Sequence, residues 1–246
     1  MNPNPNQPLS TPVPAHERVI VALDVPNAVA AFQLVDQLGN LVRWFKVGLE
    51  LYLAEGNALV EKLKTRGYSV FLDLKLHDIP NTVAGAVRSA ASHGADMLTL
   101  HASGGSAMLS AASEAASTIT GAPKLLAVSV LTSMDAAQLQ SIGVEGTPAS
   151  QVLRLARLAS EAGISGLVAS SEEITALRQQ FPTLTLVIPG IRPAGSAVGD
   201  QKRIATPAAA IAAGADYLVI GRPITQAANP AAAAAAILEE VDKAGA

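Results

Sequence analysis

Eight short runs of β-branched and aliphatic residues, alternating with longer Ala-rich stretches, restrict this chain to very few folds. The runs are Val19 to Leu23, Trp44 to Val47, Ser69 to Leu74, Met97 to Leu100, Leu125 to Val130, Gly166 to Val168, Thr185 to Ile188 and Tyr217 to Ile220. Between them, stretches such as Ala28 to Leu38, Gly56 to Arg66, Thr82 to Ser92, Pro148 to Glu161 and Pro207 to Ala213 carry apolar residues at helical spacing. Strands separated by helices lie parallel, because each helix carries the chain back along the sheet. The segments His93-Gly94-Ala95-Asp96 and Ala213-Gly214-Ala215-Asp216 each follow a helix and precede a strand, where glycine takes the left-handed turn that ends a helix. Eight such units close a barrel, so the expected architecture is α/β, a single-domain (β/α)8 barrel. A doubly wound open sheet is the alternative. It would more often have fewer units and a glycine-rich first turn, and Leu23-Asp24-Val25-Pro26 supplies no G-x-G-x-x-G.

No linker or shift in composition divides the chain after its first residues. Residues 1–16, MNPNPNQPLSTPVPAH, are rich in Pro and Asn and read as an extended tail, which leaves 17–246 as the barrel. Half of the residues are hydrophobic and 15% are charged, enough to fill a sizeable core. The net charge of -3 offers no basic field for nucleic acid, so an anionic ligand has to be gripped by a few local cations. With no cysteine, disulfides, thiolate zinc sites and a cysteine nucleophile are excluded. Neither a signal peptide nor an uncharged apolar run of membrane-spanning length is present, and a cytoplasmic protein without a membrane partner is expected.

In a barrel of parallel strands the active site forms at the carboxyl ends, so the polar residues closing each run carry the functional information. The first run ends in Asp24 and the second carries Lys46. The third carries Asp73 and Lys75, with Asp78 just beyond. Alternation points Asp73 and Lys75 into the barrel and Leu72, Leu74 and Leu76 towards the helices. Two carboxylates about 4 Å apart repel by roughly 4 kcal/mol at an effective dielectric near 20. Lys46 and Lys75 between Asp73 and Asp78 turn that repulsion into an alternating array. An isolated Asp-x-Lys pair is well explained as a structural ion network, but several charges gathered at strand ends favour catalysis.

The seventh run leads into Pro189-Gly190-Ile191-Arg192 and the eighth into Gly221-Arg222-Pro223. Loops after these strands frequently bind phosphate. Gly221 lets the backbone approach, Arg222 can grip two oxygens at once, and Pro223 can begin a helix. From Arg192 to Arg203 the sequence has no period and several glycines, and reads either as a lid, with Arg192 and Gln201 as substrate contacts, or as a plain surface excursion.

These residues resemble the orotidine 5'-monophosphate decarboxylase family over nearly all of the chain after the tail. The signature is Phe71-Leu72-Asp73-Leu74-Lys75-Leu76-His77-Asp78-Ile79-Pro80-Asn81-Thr82, supported by Val21-Ala22-Leu23-Asp24, Lys46-Val47-Gly48, His101-Ala102-Ser103-Gly104-Gly105, Leu131-Thr132-Ser133, Gly199-Asp200-Gln201 and the two phosphate-side blocks above. Ser129 stands where relatives often have threonine, and keeps the hydroxyl. The resemblance implies decarboxylation of orotidine 5'-monophosphate to uridine 5'-monophosphate in pyrimidine biosynthesis. It makes Lys75 the proton donor, with Lys46, Asp73 and Asp78 completing the charged array. It also implies a homodimer in which Asp78 serves the neighbouring subunit's site. Asp24, Lys46, Thr82 and Gln201 are then contacts to ribose or base, Thr132 lies near the base, and Arg192, Gly221 and Arg222 lie on the phosphate side; Asp73 and Ile79 complete the substrate-binding set.

That chemistry needs a cation fixed beside a developing carbanion, since the ring provides no adjacent carbonyl placed to delocalise the charge. The four histidines, His16, His77, His93 and His101, form no ligand set, so neither metal nor cofactor is expected; for His101, closing the fourth run, a structural hydrogen-bonding role is expected. A metal-dependent sugar-phosphate decarboxylase or epimerase with the same D-x-K-x-x-D pattern is the nearest rival. A catalytically inert nucleotide-binding barrel is the rival of another class, and intact Lys75 and Asp73 argue against it.

Overall fold

The computed structural model describes residues 13–194 and 205–245. Its eight strands are β1 (Val19–Ala22), β2 (Trp44–Gly48), β3 (Ser69–Leu76), β4 (Met97–His101), β5 (Lys124–Val128), β6 (Gly166–Val168), β7 (Thr185–Ile188) and β8 (Tyr217–Ile220). They pair in sequence order, all parallel, and β8 closes onto β1 with Val19 opposite Leu218. All eight expected runs are strands, and the helices Ala28–Leu38 and Pro148–Glu161 have the bounds that their periodicity gives. The expected single-domain (β/α)8 barrel is therefore the architecture observed.

Period-two alternation builds two cores. Ile20, Ala22, Phe71, Met97, Leu126, Val187 and Val219 point inward and fill the barrel. Their neighbours Val19, Val21, Val70, Leu72, Leu98 and Leu186 point outward under the helices, in a larger cluster. Trp44 and Tyr217 meet edge to face inside the barrel, centroids 5.6 Å apart, a favourable aromatic geometry.

The amino end of the barrel is fastened by one device used at two corners. Asp96, before β4, accepts the Val70 N–H of β3 at 2.7 Å and both hydrogen bonds of Lys64, which lies on the helix Asn57–Thr65. Asp216, before β8, accepts the Leu186 N–H of β7 at 2.7 Å and a bond from Arg178, on the helix Ile174–Gln180. At each corner the preceding glycine has positive φ, 80° at Gly94 and 108° at Gly214, and a Cβ there would lie 3.3 Å from the cation's side chain. The glycines thus serve twice, by turning the chain and by letting the cation pass. Each aspartate satisfies a strand N–H that the ladder leaves open.

Ala15 and His16, expected in the tail, belong instead to the helical turn Ala15–Arg18. Ala15 is buried and donates its N–H to Asp242 on the carboxyl-terminal helix Pro230–Gly245 at 2.9 Å, a partner remote in sequence that local composition does not reveal. No described helix is long and apolar enough to cross a membrane.

Candidate active site

A cavity of about 550 Å³ opens at the carboxyl ends of the strands. Asp24, Lys46, Asp73, Lys75, Thr132, Arg192, Gly221 and Arg222 all line it, so one mouth gathers eight of the residues expected at the site. Phe71, Val128, Val168 and Val219 supply an apolar wall. Charged and apolar side chains thus share one lining, and apolar surroundings strengthen the electrostatic interactions made beside them.

The charges form a chain. Lys46 Nζ lies 2.8 Å from Asp24 Oδ1 and 3.6 Å from Asp73 Oδ2. Lys75 Nζ donates to both Asp73 oxygens at 2.8 Å. The order Asp24, Lys46, Asp73, Lys75 alternates in sign, as the sequence leads one to expect, and within this single chain its fourth member is Asp24. Asp78 is exposed, and its carboxylate accepts the N–H of Ile79 at 2.6 Å. Ile79 and Thr82 are exposed too, and none of the three lines this chain's cavity. Gln201 and the interior of the expected lid lie outside the described residues. The two ends of that segment are joined, however: Ile191 bridges Ala205, and Arg192 N–H donates to the Ala205 carbonyl at 2.9 Å.

Burial alone pushes the Asp73 carboxyl up. The charges of Lys46 and Lys75, with hydrogen bonds from Lys75 and Thr99, outweigh it and hold the group below its ordinary value, so Asp73 is an anion across the neutral range. Burial foremost, then the charges of His77 and Lys75, holds His101 below the ordinary histidine value, against the opposing pull of Asp73. The two histidine rings sit 5.5 Å apart beside the charged group.

The backbone of β3 is distorted where Asp73 and Lys75 sit. The β3–β4 register runs Phe71 to Met97 and Leu72 to Leu98, then resumes at Leu76 to Leu100, so one residue of β4 faces three of β3. Lys75 takes φ 51°, the only non-glycine residue with positive φ among those described. That conformation costs an L-residue about 1–2 kcal/mol and is held by its surroundings. Thr99, the β4 residue opposite the bulge, is fully buried and bonds both Lys75 and Asp73.

Two residues that sequence reasoning missed emerge here. Thr99 falls at an inward position of β4, a signal that alternation could have provided. Gly48 lies so close to the ion pair that a Cβ would sit 2.9 Å from Lys46 Nζ and 3.2 Å from Asp24 Oδ1. Ser129 donates its hydroxyl to the Val168 carbonyl at 2.9 Å and so ties β5 to β6 beside the cavity. Among the described residues, no three His, Asp or Glu side chains gather as a metal site.

Residues 17–237 match the model of the orotidine 5'-phosphate decarboxylase / HUMPS family. The orotidine 5'-phosphate decarboxylase of Halorhodospira halophila is 55% identical over 234 residues, which cover 95% of this chain and 99% of that one. The enzyme of the same name from Pseudomonas putida is 53% identical over 224 residues, covering 91% and 96%. The crystal structure of orotidine 5'-phosphate decarboxylase from Lactobacillus acidophilus superposes with a TM-score of 0.82 at 38% identity, covering 92% of this chain and 99% of that one.

Proposed function

We propose that this chain, which belongs to the orotidine 5'-phosphate decarboxylase / HUMPS family, converts orotidine 5'-monophosphate to uridine 5'-monophosphate and carbon dioxide, with Lys75 as the proton donor. The observation that carries this reading is the Lys75 ammonium, held 2.8 Å from both oxygens of the Asp73 anion at the wall of the cavity. As carbon dioxide leaves, the bond between ring carbon and carboxylate breaks and its electron pair stays on the ring carbon. Lys75 then gives that carbon a proton, replaces carboxylate by hydrogen, and is reprotonated from solvent.

A cation 4 Å from the developing charge is worth about 4 kcal/mol at an effective dielectric near 20, or about a thousandfold in rate. The apolar wall raises that value, and a preset ammonium needs no reorganisation at the moment of reaction. Asp73 next to the substrate carboxylate adds repulsion that is relieved as carbon dioxide departs, a smaller effect than the cation. Lys46, itself paired with Asp24, keeps Asp73 ionised.

In this reading Asp24 and Lys46 contact the ribose, Thr132 the base, and Arg192, Gly221 and Arg222 the phosphate, with Gln201 over the substrate. Binding energy gathered at the phosphate positions the ring at Lys75. Asp78, Ile79 and Thr82, exposed on this chain, act in a homodimer, where Asp78 enters the partner's site. The protein works in the cytoplasm and needs no cofactor.

The test follows loss of orotidine 5'-monophosphate absorbance in excess chelator, for the parent protein and Lys75→Ala. Turnover should survive the chelator, and Lys75→Ala should lose at least about a thousandfold in kcat. A parent protein without turnover overturns the assignment, and one silenced by chelator favours a metal-dependent reaction.

A further inference from the structure

We propose that Thr99 is a positioning residue, whose single hydroxyl sets the geometry of the Asp73 and Lys75 pair by bonding both across the β3 bulge. The proposal rests on the reading of Lys75 and Asp73 given above and extends it to a residue that touches no substrate. Thr99 has no exposed surface and does not line the cavity.

The hydrogen-bond chemistry leaves one arrangement. Thr99 Oγ1 accepts the backbone N–H of Lys75 at 2.8 Å. An N–H can only donate, so the one hydroxyl proton is left for Asp73 Oδ1, 2.9 Å away. The same atom therefore anchors the strained backbone of the proton donor and orients the carboxylate that holds its ammonium. The β3–β4 ladder cannot do this, since Leu72 pairs with Leu98 and Leu76 with Leu100, and Thr99 is the one β4 residue opposite the three between them. A side chain replaces the strand pairing that the bulge removed, and the atom chosen reaches both halves of the pair at once.

Asp73 is faced by Lys46 from β2, Lys75 from its own strand and Thr99 from β4. His101 on β4 and His77 beyond β3 are the neighbouring histidines. Losing the Thr99 hydroxyl withdraws one of the donors that favour the Asp73 anion, so its pKa rises. The acid limb of kcat against pH then moves up.

The experiment compares the parent with Thr99→Val, which keeps the shape and loses both bonds, with Thr99→Ser, which keeps them, and with Thr99→Ala, which carries the same expectation as valine should the valine variant not fold. Thr99→Val should lower kcat for orotidine 5'-monophosphate by about 10–100-fold, with a smaller change in KM, because displacement near the reacting atoms is felt in the chemical step. Its acid limb should move up by about one pH unit, and Thr99→Ser should restore kcat to within a few-fold and the limb to its parental place. Parental kcat and parental acid limb in valine and alanine variants overturn the proposal whatever happens to Tm, and so does a serine variant as slow as valine. Lys75→Ala run in parallel separates the two readings. If it retains parental turnover, the role of Lys75 fails; if it is inactive while Thr99→Val is unaffected, only the role of Thr99 fails.

Discussion

His101 closes β4 with its ring 5.5 Å from that of His77 and with Lys75 among the charges that act on it. Its pKa lies below the ordinary value of 6.5, chiefly because burial penalises the cation. The folded state then binds fewer protons than the unfolded state as pH falls below 6.5, so the contribution of this residue to stability is complete above that value and is lost towards the depressed folded pKa. Tm should therefore fall as the solution is acidified through this window, and His101→Gln should flatten the slope. Parallel Tm profiles for parent and variant would place the pH dependence elsewhere. Asp73 contributes in a lower window. Its depressed pKa adds stability that is present above the ordinary carboxylate range and disappears as pH falls through the folded value.

At the scale of the element, β2 and β3 show two ways in which a strand can serve a site. β3 carries Asp73 and Lys75 through a bulge, which re-aims side chains at the cost of the ladder. β2 stays regular, pairing Trp44 with Ser69 through to Gly48 with Asp73, and provides space instead. Gly48 is where the Lys46 ammonium and the Asp24 carboxylate meet above the strand. Gly48→Ala places a methyl 2.9 Å from Lys46 Nζ, the far end of a flexible side chain that can swing away. Folding should therefore be little affected, with Tm within a few degrees of the parent. kcat should drop by about 10–100-fold, since Lys46 leaves the line between Asp24 and Asp73. A variant with parental kcat would show that Lys46 needs no such precise placement.

Across the whole molecule, function and stability occupy opposite ends of the barrel, as parallel α/β barrels allow. The carboxyl end concentrates charge in a cavity, and the amino end uses the Asp96 and Asp216 corners to fasten strands to helices. The corners repeat four strands apart but differ in strength. Arg178 donates five hydrogen bonds, to the Gly214, Pro182 and Leu184 carbonyls as well as to Asp216, whereas Lys64 donates only to Asp96. Arg178→Met should cost about 2–3 kcal/mol in urea unfolding because it leaves several carbonyls unpaired, and Lys64→Met about 1 kcal/mol or less. Neither should alter kcat. Equal losses, or a fall in kcat for either, would contradict this division between the two ends.

The sequence by itself determined the barrel and most of its mouth. Hydrophobic periodicity is a local property, so eight strands could be counted from Val19 to Ile220, and a rule about strand ends then sufficed to select Asp24, Lys46, Asp73, Lys75, Arg192 and Arg222. Only the tertiary structure decided the rest, since it depends on partners distant in the chain. The left-handed turn at Lys75 exists because of how β3 meets β4, and Thr99 matters only because the bulge places three residues against it. Asp24 completes the charge chain within this chain because β1 lies beside β2, whereas Asp78, adjacent to the run in sequence, lies beyond the end of β3 and is exposed. Neighbourhood in sequence decides which face a side chain takes, and neighbourhood in space decides which charge neutralises it.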